Sequence, residues 1–375
     1  MNNKKNIVFL TGTRADFGKL KPLMAILQDK NDFEPHIFVT GMHLQDLYGY
    51  TLIEVQNSGF KNIHTFKNHT HETTMDLTLA KTIEGFSAYV NDLKPDLIVV
   101  HGDRVEALAG AIVGSLNNIL VAHIEGGELS GTIDELIRHS VSKLSHLHFV
   151  ANDLAKQRLI QMGELPESIF TIGSPDVDVM FSDQLPKLED VKRYYQIPYE
   201  SYAVAMFHPV TTEIQHIKYY AKQFVKALLD SQKNYVVIYP NNDLGSQYIL
   251  NAYENLKEHP NFRVFPSLRF EYFLTLLKQA EFMIGNSSAG VREAPYYGIP
   301  TINIGTRQQN RSFNHDIINA SYEVKDILKA INAVKNDAHK IAPFGQGNSA
   351  IEFLSALHDK ALWNINHQKQ FIDII

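Results

Sequence analysis

The fold is decided by residues 96–124, which read DLIVVHGDRVEALAGAIVGSLNNILVAHI. Two short apolar runs, Asp96–His101 and Ile119–Ile124, enclose a stretch long enough for a helix, Val105–Ser115. Continuous apolar strands are typical of a parallel sheet that helices cover on both faces. This strand–helix–strand unit therefore predicts an α/β fold, and the same alternation continues on both sides of it.

The alternation pauses once, at the polar segment Ser182–Glu189. We therefore predict two doubly wound, Rossmann-like domains, 1–185 and 195–375, and allow the last helix to pack back on the first domain. Ligands of such folds bind beyond the carboxyl ends of the strands, so two facing domains would share one cleft. The predicted strands are Ile7–Thr11, Pro35–Val39, Asn62–Phe66, Asp96–His101, Ile119–Ile124, Leu147–Val150, Ile169–Ile172, Tyr202–Phe207, Tyr235–Tyr239, Phe262–Phe265, Phe282–Ile284 and Thr301–Ile304.

The composition narrows the class of protein. Of the 375 residues, 44% are apolar and 20% charged, as in ordinary globular enzymes, and the net charge of −6 is unfavourable for nucleic acid. The absence of cysteine excludes disulfides and thiolate metal sites. No apolar stretch approaches a membrane span, and Ile7–Leu10 is too short for a signal-peptide core. We therefore expect a cytoplasmic protein that does not bind membranes.

Three carboxylates stand near the predicted strand ends of the first domain. Asp103 and Glu125 follow neighbouring strands, and Asp134 lies near the start of the next helix. Several carboxylates at one edge suit acid–base chemistry. For Asp103 or Asp134 taken alone a helix cap is the favoured interpretation, whereas Glu125 before Gly126-Gly127 is neither a cap nor a strand former. Glu125 is therefore the strongest candidate of the three.

The loop after the first strand, Thr11–Gly18, contains Gly12 and Arg14. Its backbone N–H groups and the helix start could hold an anion, although a plain turn with a solvated arginine explains the same residues. The second domain carries polar and cationic residues after its strands, namely His208, Ser287, Ser288, Glu293, Arg307 and Arg311. Ser287 and Ser288 at a helix start favour a phosphate site, although a plain serine N-cap with small residues for close packing explains the same segment. His208 could be structural, Glu293 could be a surface partner of Arg292, and the arginines could be solvated.

A metal centre is not predicted. His146 and His148 are two residues apart and share one strand face, but no third ligand stands at a diagnostic spacing. Buried, hydrogen-bonded histidines are the favoured interpretation, and we expect no metal and no cofactor.

In their order along the chain, these motifs resemble the UDP-N-acetylglucosamine 2-epimerase family. The matching segments are Thr11–Arg14, His101–Arg104, His123–Gly127, Ile284–Ser288 and Gly305–Arg307. The non-hydrolysing branch carries Thr-Gly-His-Arg-Arg and Glu-Ala-Gly-Leu-Arg segments, where this chain has Phe207–Thr212 and Glu125–Glu128. The chain therefore looks like the hydrolysing branch, which makes N-acetylmannosamine for sialic acid synthesis.

The resemblance implies the two-domain glycosyltransferase-B architecture and the conversion of UDP-N-acetylglucosamine and water to UDP and N-acetylmannosamine. It further implies a homo-oligomer, a dimer or tetramer, of the bacterial single-function form without a kinase domain. Asp103, Glu125 and Asp134 correspond to catalytic carboxylates. The residues that correspond to nucleotide and diphosphate contacts are Arg14, Arg104, His208, Ser287, Ser288, Glu293 and Arg307.

Three alternatives stay open at this stage. The first keeps the chemistry but acts on a UDP-2,4-diacetamido-trideoxy sugar of the legionaminic acid pathway. The second is a glycosyltransferase on the same fold, which would not need the carboxylate set. The third is a nucleotide-sugar sensor that binds without turnover. Fold alone decides none of these.

Overall fold

The computed structural model describes residues 4–69, 74–130, 132–308, 317–335 and 339–373, and within it the chain divides into two units. The first unit comprises Met1–Glu128, Asp134–Phe181 and Pro343–Ile375. The second unit comprises Leu129–Ile133 and Ser182–Ala342. Each unit contains one parallel sheet, so the prediction of two Rossmann-like α/β domains is confirmed.

The strands of the first unit are β1 (Lys5–Thr11), β2 (Phe33–Val39), β3 (Asn62–Thr65), β4 (Leu97–His101), β5 (Leu120–Ile124), β6 (Leu147–Val150) and β7 (Ile169–Thr171). They form a seven-stranded parallel sheet in the order β3-β2-β1-β4-β5-β6-β7. Side chains on both faces of its central strands, such as Ile98 and Val99, are fully buried. Burial on both faces explains why these strands read as continuous apolar runs.

The helices that follow these strands begin with α1, which starts at Arg14, inside the segment Thr11–Gly18 that the sequence interpretation described as a loop. Thr13 and Asp16 form a capping box there, and this adds a helical turn before the apolar periodicity begins. The helices of this part of the first unit are α1 (Arg14–Gln28), α2 (Leu52–Gln56), α3 (Met75–Leu93), α4 (Val105–Leu116), α5 (Ile133–Leu144), α6 (Asp153–Gln161) and α7 (Pro175–Met180).

The second unit repeats the architecture, with strands β8 (Ala203–Met206), β9 (Tyr235–Ile238), β10 (Phe262–Phe265), β11 (Met283–Gly285), β12 (Thr301–Ile304) and β13 (Ile317–Ala320). Their order is β10-β9-β8-β11-β12-β13. The edge strand β13 was not predicted, because it is only four residues long and none of its side chains is fully buried. The helices are α8 (Leu188–Tyr194), α9 (Ile217–Asp230), α10 (Ser246–Lys257), α11 (Phe270–Lys278), α12 (Ala294–Tyr297) and α13 (Val324–Ala333).

The last part of the chain, from Pro343 onward, belongs to the first unit. The sequence interpretation included it in the second domain, 195–375, and allowed the last helix to pack back on the first domain. It contains α14 (Ser349–His358) and α15 (Lys360–Trp363). The carboxylate of Asp178 accepts hydrogen bonds from the first N–H groups of α14, those of Ser349 at 2.9 Å and Ala350 at 2.8 Å. Phe353 of α14 is fully buried in the core of the first unit. These contacts explain why this segment groups with the first sheet.

Candidate active site

The carboxyl ends of β4 and β5 carry Asp103 and Glu125. The two strands are direct neighbours, and His101 lies opposite Ile124 in the register. Gly102 adopts a φ of +69° and its N–H donates to the Ile124 carbonyl at 3.0 Å, which turns the chain out of the sheet. The structure therefore places both carboxylates at the same edge of the first sheet.

Glu125 has an unusual backbone and two polar partners. Its φ of +64° lies in the left-handed region, which is uncommon for a residue with a side chain and is concentrated at functional sites. The N–H donates to the Phe149 carbonyl at 2.9 Å. In the side chain, Oε1 accepts a hydrogen bond from the Ser174 hydroxyl, and Oε2 lies 3.2 Å from His101 Nε2. The carboxyl group is thus buried between a hydroxyl and an imidazole.

The two glycines after Glu125 are required by close packing. A Cβ at Gly127, whose φ is +75°, would collide with the Ala155 carbonyl. A Cβ at Gly126 would lie 2.9 Å from His123 Nδ1, which is closer than real Cβ atoms approach. This explains the Glu-Gly-Gly sequence in structural terms.

His123 connects the elements beneath the two carboxylates. Its Nε2 lies 2.8 Å from the Gly102 carbonyl, and its Nδ1 lies 3.0 Å from Ser142 Oγ on α5. Burial lowers the pKa of His123 to about 3, so the ring is neutral at physiological pH. A neutral ring donates from Nε2 to the carbonyl and accepts the Ser142 hydroxyl at Nδ1. This arrangement ties β4, β5 and α5 together.

Asp103 is paired with Arg138, a residue that the sequence interpretation missed. Arg138 lies on α5, is almost fully buried, and donates from Nη2 to Asp103 Oδ2. Its Nη1 also donates to the Glu128 carbonyl at 3.3 Å. The possible role of Asp103 as a helix cap is excluded, because Arg104 occupies the N-cap position of α4. The sequence signal that could have revealed Arg138 is its place beside Ile137 and Val141, on the apolar face of α5.

Asp134 lies in the first turn of α5 and is half buried. It precedes Arg138 by four residues, and this spacing places both side chains on one face of the helix. The structure therefore puts Asp134 on the helix that contacts Asp103. Its first-turn position also suits the helix dipole.

In the loop after β1, the backbone N–H groups bind a carboxylate of the same chain. The N–H groups of Gly12 and Thr13 each donate to the Asp16 carboxylate at 3.0 Å. In this structure these two N–H groups therefore have a carboxylate of the chain itself as their partner. Arg14, the first residue of α1, forms an ion pair with Glu54.

Arg104 also has a carboxylate partner. Its Nε donates to Glu106 Oε2 at 3.2 Å, and Glu106 is almost fully buried against Gly12 and Gly41. Both predicted cations of the first unit thus interact with glutamates in this structure.

His208 of the second unit is held by asparagines. Its backbone N–H donates to Asn286 Oδ1 at 2.6 Å, and Asn286 Nδ2 donates to its carbonyl at 2.9 Å. The backbone N–H of Asn241 donates to His208 Nδ1 at 3.0 Å. Because Nδ1 is an acceptor, the proton of the neutral ring is on Nε2, which is therefore a donor.

The predicted helix after β11 is broken into short pieces. Ser287 caps a 3₁₀ turn, Ser288–Gly290, by accepting the Ala289 N–H at 3.3 Å, and the four-residue α12 follows. Arg292 and Glu293 are almost fully buried, so the alternative of a surface pair is excluded. Buried charged side chains next to serine hydroxyls indicate a polar site at the end of β11.

Arg307 and Gln308 converge on the same asparagine as His208. Arg307 Nη1 and Gln308 Nε2 donate to the Asn286 carbonyl at 3.3 Å and 2.8 Å. Asn286 thus brings His208, Arg307 and the neighbouring Ser287 close together, and neither Asn286 nor Gln308 was assigned a role from sequence. Arg311 lies outside the described residues.

His146 and His148 serve the structure of the first unit. His146 accepts the Val121 N–H at Nδ1, and its Nε2 lies 3.0 Å from the His367 carbonyl. His148 Nε2 lies 3.0 Å from Glu164 Oε2. In the described ranges no group of three or more metal-ligating side chains is suited to an ion. No helix in that part of the chain is both long and apolar enough to cross a bilayer.

A family model described as UDP-N-acetylglucosamine 2-epimerase matches residues 25–358. The chain belongs to this family. The resemblance inferred from the strand-end motifs is therefore confirmed.

Two relatives within the epimerase family cover most of the chain. The chain is 50% identical over 376 residues to the UDP-N-acetylglucosamine 2-epimerase of Neisseria meningitidis serogroup B, covering 99% of both proteins. It is 34% identical over 337 residues to the hydrolysing UDP-N,N'-diacetylbacillosamine 2-epimerase of Legionella pneumophila, covering 88% of this chain and 89% of the relative.

The fold also matches that of a solved member of the family. The crystal structure of the Methanocaldococcus jannaschii UDP-GlcNAc 2-epimerase in complex with UDP-GlcNAc and UDP superposes with a TM-score of 0.80 at 22% identity. The match covers 94% of this chain and 99% of the other. At this identity the likeness establishes the two-domain α/β fold.

Proposed function

We propose that this protein hydrolyses UDP-N-acetylglucosamine with inversion at C2, releasing UDP and N-acetylmannosamine for sialic acid synthesis. The observation that carries the proposal is the different setting of two carboxyl groups at one sheet edge. Asp103 is bound by a guanidinium and is 23% exposed, whereas Glu125 is 6% exposed between a hydroxyl and an imidazole. Two carboxyl groups in different environments suit a reaction that removes one proton and delivers another.

The first half of the reaction is elimination of UDP. The C2 proton is not acidic in the ground state, so the C1–O bond to UDP lengthens first and positive charge at C1 acidifies that proton. We assign Asp103 as the base, because the Arg138 guanidinium favours the ionised carboxylate. UDP leaves with the electron pair of the C1–O bond, and loss of the proton forms a double bond between C1 and C2. The intermediate is 2-acetamidoglucal.

The second half is hydration of that double bond. Glu125 delivers a proton to C2 from the opposite face, and a water oxygen adds to C1. The protons held by that water and by Asp103 return to solvent, from which Glu125 is protonated again. The Glu125 carboxyl group is almost fully buried, and its Oε2 lies 3.2 Å from His101 Nε2. We assign Asp134, on the helix of Arg138, to orient the water. Substrate plus one water thus becomes UDP plus N-acetylmannosamine, without a metal or another cofactor.

The negative charge that develops on the departing UDP is stabilised by hydrogen-bond donors and cations. We assign the diphosphate to His208, Ser287, Ser288 and Arg307, and the ribose to Glu293. The supporting observation is that Asn286 gathers His208 and Arg307 beside Ser287 and that His208 Nε2 is a donor. Arg14 and Arg104 are proposed as further phosphate contacts, for which a diphosphate would compete with Glu54 and Glu106. Cationic and hydroxyl donors of this kind stabilise a departing anion.

The test is incubation with UDP-N-acetylglucosamine in deuterated water without added metal, followed by NMR, with Asp103→Asn as the inactive control. UDP and N-acetylmannosamine that carries deuterium at C2 are expected. Retention of the C2 hydrogen, or transfer of the sugar to an acceptor, would overturn elimination and hydration.

A second candidate substrate is a UDP-2,4-diacetamido-trideoxy sugar, which the similarity to the Legionella relative supports. If the protein turns over only this sugar, the diacetamido sugar is the substrate. If it turns over neither sugar, the glycosyltransferase and the nucleotide-sugar sensor are the functions that remain. We also propose a homo-oligomer, a dimer or tetramer, on the strength of the family resemblance. Light scattering tests this, and a monomer at micromolar concentration would contradict it.

A further inference from the structure

The side chain of Ser174 does not perform the role that its position predicts. Ser174 is the N-cap residue of α7, yet its hydroxyl makes no capping hydrogen bond. A serine at this position ordinarily accepts a hydrogen bond from the first N–H groups of its own helix. Here the hydroxyl instead donates to Oε1 of Glu125, 49 residues earlier in the chain. The Ser174 hydroxyl thus contacts the candidate active site and does not cap its own helix.

The backbone around Ser174 is held firmly by its neighbours. After β7, the Ile172 N–H donates to the Val150 carbonyl at 3.0 Å, and Gly173 turns the chain with a φ of +85°. The Ser174 N–H then donates to the Phe344 carbonyl at 2.7 Å. Because Pro175 follows, Ser174 is confined to the extended conformation that it adopts. The hydroxyl is therefore presented to Glu125 from a fixed position.

The position of the Glu125 carboxyl group is also fixed by its surroundings. Its left-handed backbone directs the carboxyl group, and its Oε2 lies 3.2 Å from His101 Nε2. A carboxyl oxygen that accepts a hydrogen bond from a hydroxyl is a poor site for the proton of the same group. The two oxygens of Glu125 are therefore not equivalent.

We propose that Ser174 is a positioning residue for the acid step: its hydroxyl keeps Oε1 of Glu125 an acceptor, so that the transferable proton resides on Oε2 beside His101. The inference rests on the proposed function, in which Glu125 protonates C2 of the glycal. Without the hydroxyl, the proton would be distributed over both oxygens and the carboxyl group would rotate. Hydration would slow, whereas elimination of UDP by Asp103 would continue.

The test compares Ser174→Ala and Ser174→Thr with the whole wild-type chain on UDP-N-acetylglucosamine. Ser174→Ala is expected to lower kcat for the formation of N-acetylmannosamine roughly ten- to a hundredfold, the range of hydrogen bonds to charged groups, with KM changed less than about threefold. It is also expected to release 2-acetamidoglucal, which NMR detects, because elimination outruns hydration. Ser174→Thr keeps a hydroxyl and is expected to restore kcat and suppress glycal release.

Ser168→Ala is the matched control, since Ser168 is another buried serine of the first unit whose hydroxyl donates only to a backbone carbonyl, that of Leu165 at 2.7 Å. A Ser174→Ala protein that keeps wild-type kcat, or that loses activity without glycal release and without rescue by threonine, would overturn the inference. If the wild type itself forms no UDP from this substrate, the proposed function fails instead. The two failures are thus distinguishable.

Discussion

The guanidinium of Arg138 on α5 donates a hydrogen bond to the carboxylate of Asp103, which follows β4. The Arg138 side chain is 4% exposed, so the ion pair is largely shielded from water. The same guanidinium donates to the Glu128 carbonyl, and this contact limits its freedom. Arg138 therefore orients the Asp103 carboxylate and places a buried positive charge beside it.

Replacing Arg138 by methionine is expected to reduce kcat/KM for UDP release by at least about a hundredfold, because Asp103 loses the cation that favours its ionised form. The free energy of unfolding should fall by about 2–4 kcal/mol, as when one partner of a shielded ion pair is removed. A coupled assay for UDP and urea denaturation measure both quantities. Arg193→Met, at an exposed position on α8, is the control. Full activity of Arg138→Met would show that Asp103 does not depend on this pair.

The two carboxylates are expected to give different products when each is made neutral. Asp103→Asn should abolish UDP release, because the C2 proton is no longer removed. Glu125→Gln should still eliminate UDP but accumulate 2-acetamidoglucal, because the amide cannot protonate C2. NMR of single-turnover mixtures separates these outcomes. The reverse pattern would exchange the two assignments.

His208 is expected to contact UDP through Nε2. Glutamine can place an N–H donor near the Nε2 position, whereas asparagine can keep only the acceptor that binds the Asn241 N–H. His208→Asn should therefore raise the Kd for UDP by about tenfold or more, and His208→Gln should raise it less. Isothermal titration calorimetry measures both. Equal affinities for the two variants would argue against a contact through Nε2.

Lys369 stabilises α5 from the last segment of the chain. Its Nζ donates to the carbonyls of Ser142, Lys143 and Ser145 at 3.3, 3.0 and 2.6 Å, and to the Glu164 carboxylate. A cation at a helix C-terminus satisfies carbonyls that lack helical partners.

Lys369→Met is therefore expected to lower the free energy of unfolding by about 1–3 kcal/mol. The exposed Lys360→Met is the control, and thermal denaturation measures the difference. An unchanged melting temperature would contradict this role.

Stability is expected to decrease in acid. Burial lowers the pKa of His123 to about 3 and the pKa values of His43 and His146 to about 4. In the unfolded chain these groups titrate near 6.5, so the unfolded state binds protons first as the pH falls. The contribution of these histidines to the free energy of unfolding is fully present above about pH 6.5. It is lost progressively toward pH 3, by about 1 kcal/mol for each histidine at pH 5.5.

Glu164 extends this acid sensitivity to lower pH. Burial alone would raise the pKa of Glu164, but hydrogen bonds and charges from His148 and Lys369 lower it to about 2. Its contribution is present above about pH 4.5 and is lost as the pH falls through about 2. Urea unfolding between pH 7.5 and pH 4 measures the histidine part, and stability independent of pH over that range would refute it.

Much of the fold was predictable because local patterns determine it. Residues 96–124 contain two apolar runs and an intervening helix, and the structure has β4, α4 and β5 there within one residue of the predicted bounds. Edge elements were less predictable: β13 has only four residues and is only partly buried, so four residues gave too short a pattern to identify it. The start of α1 was also missed, because the capping box of Thr13 and Asp16 begins the helix one turn before its apolar residues.

The sequence by itself determined the two parallel sheets and the polar residues that follow each strand, since burial on both faces demands apolar runs and sharp exits demand glycine. The tertiary structure alone decided which groups those residues meet. Ser174 reaches Glu125, Arg138 reaches Asp103, and Asn286 gathers His208 and Arg307, across separations along the chain that no local pattern encodes. The physical reason is that periodicity reports which face of an element is buried, whereas hydrogen-bond partners depend on how distant elements pack together.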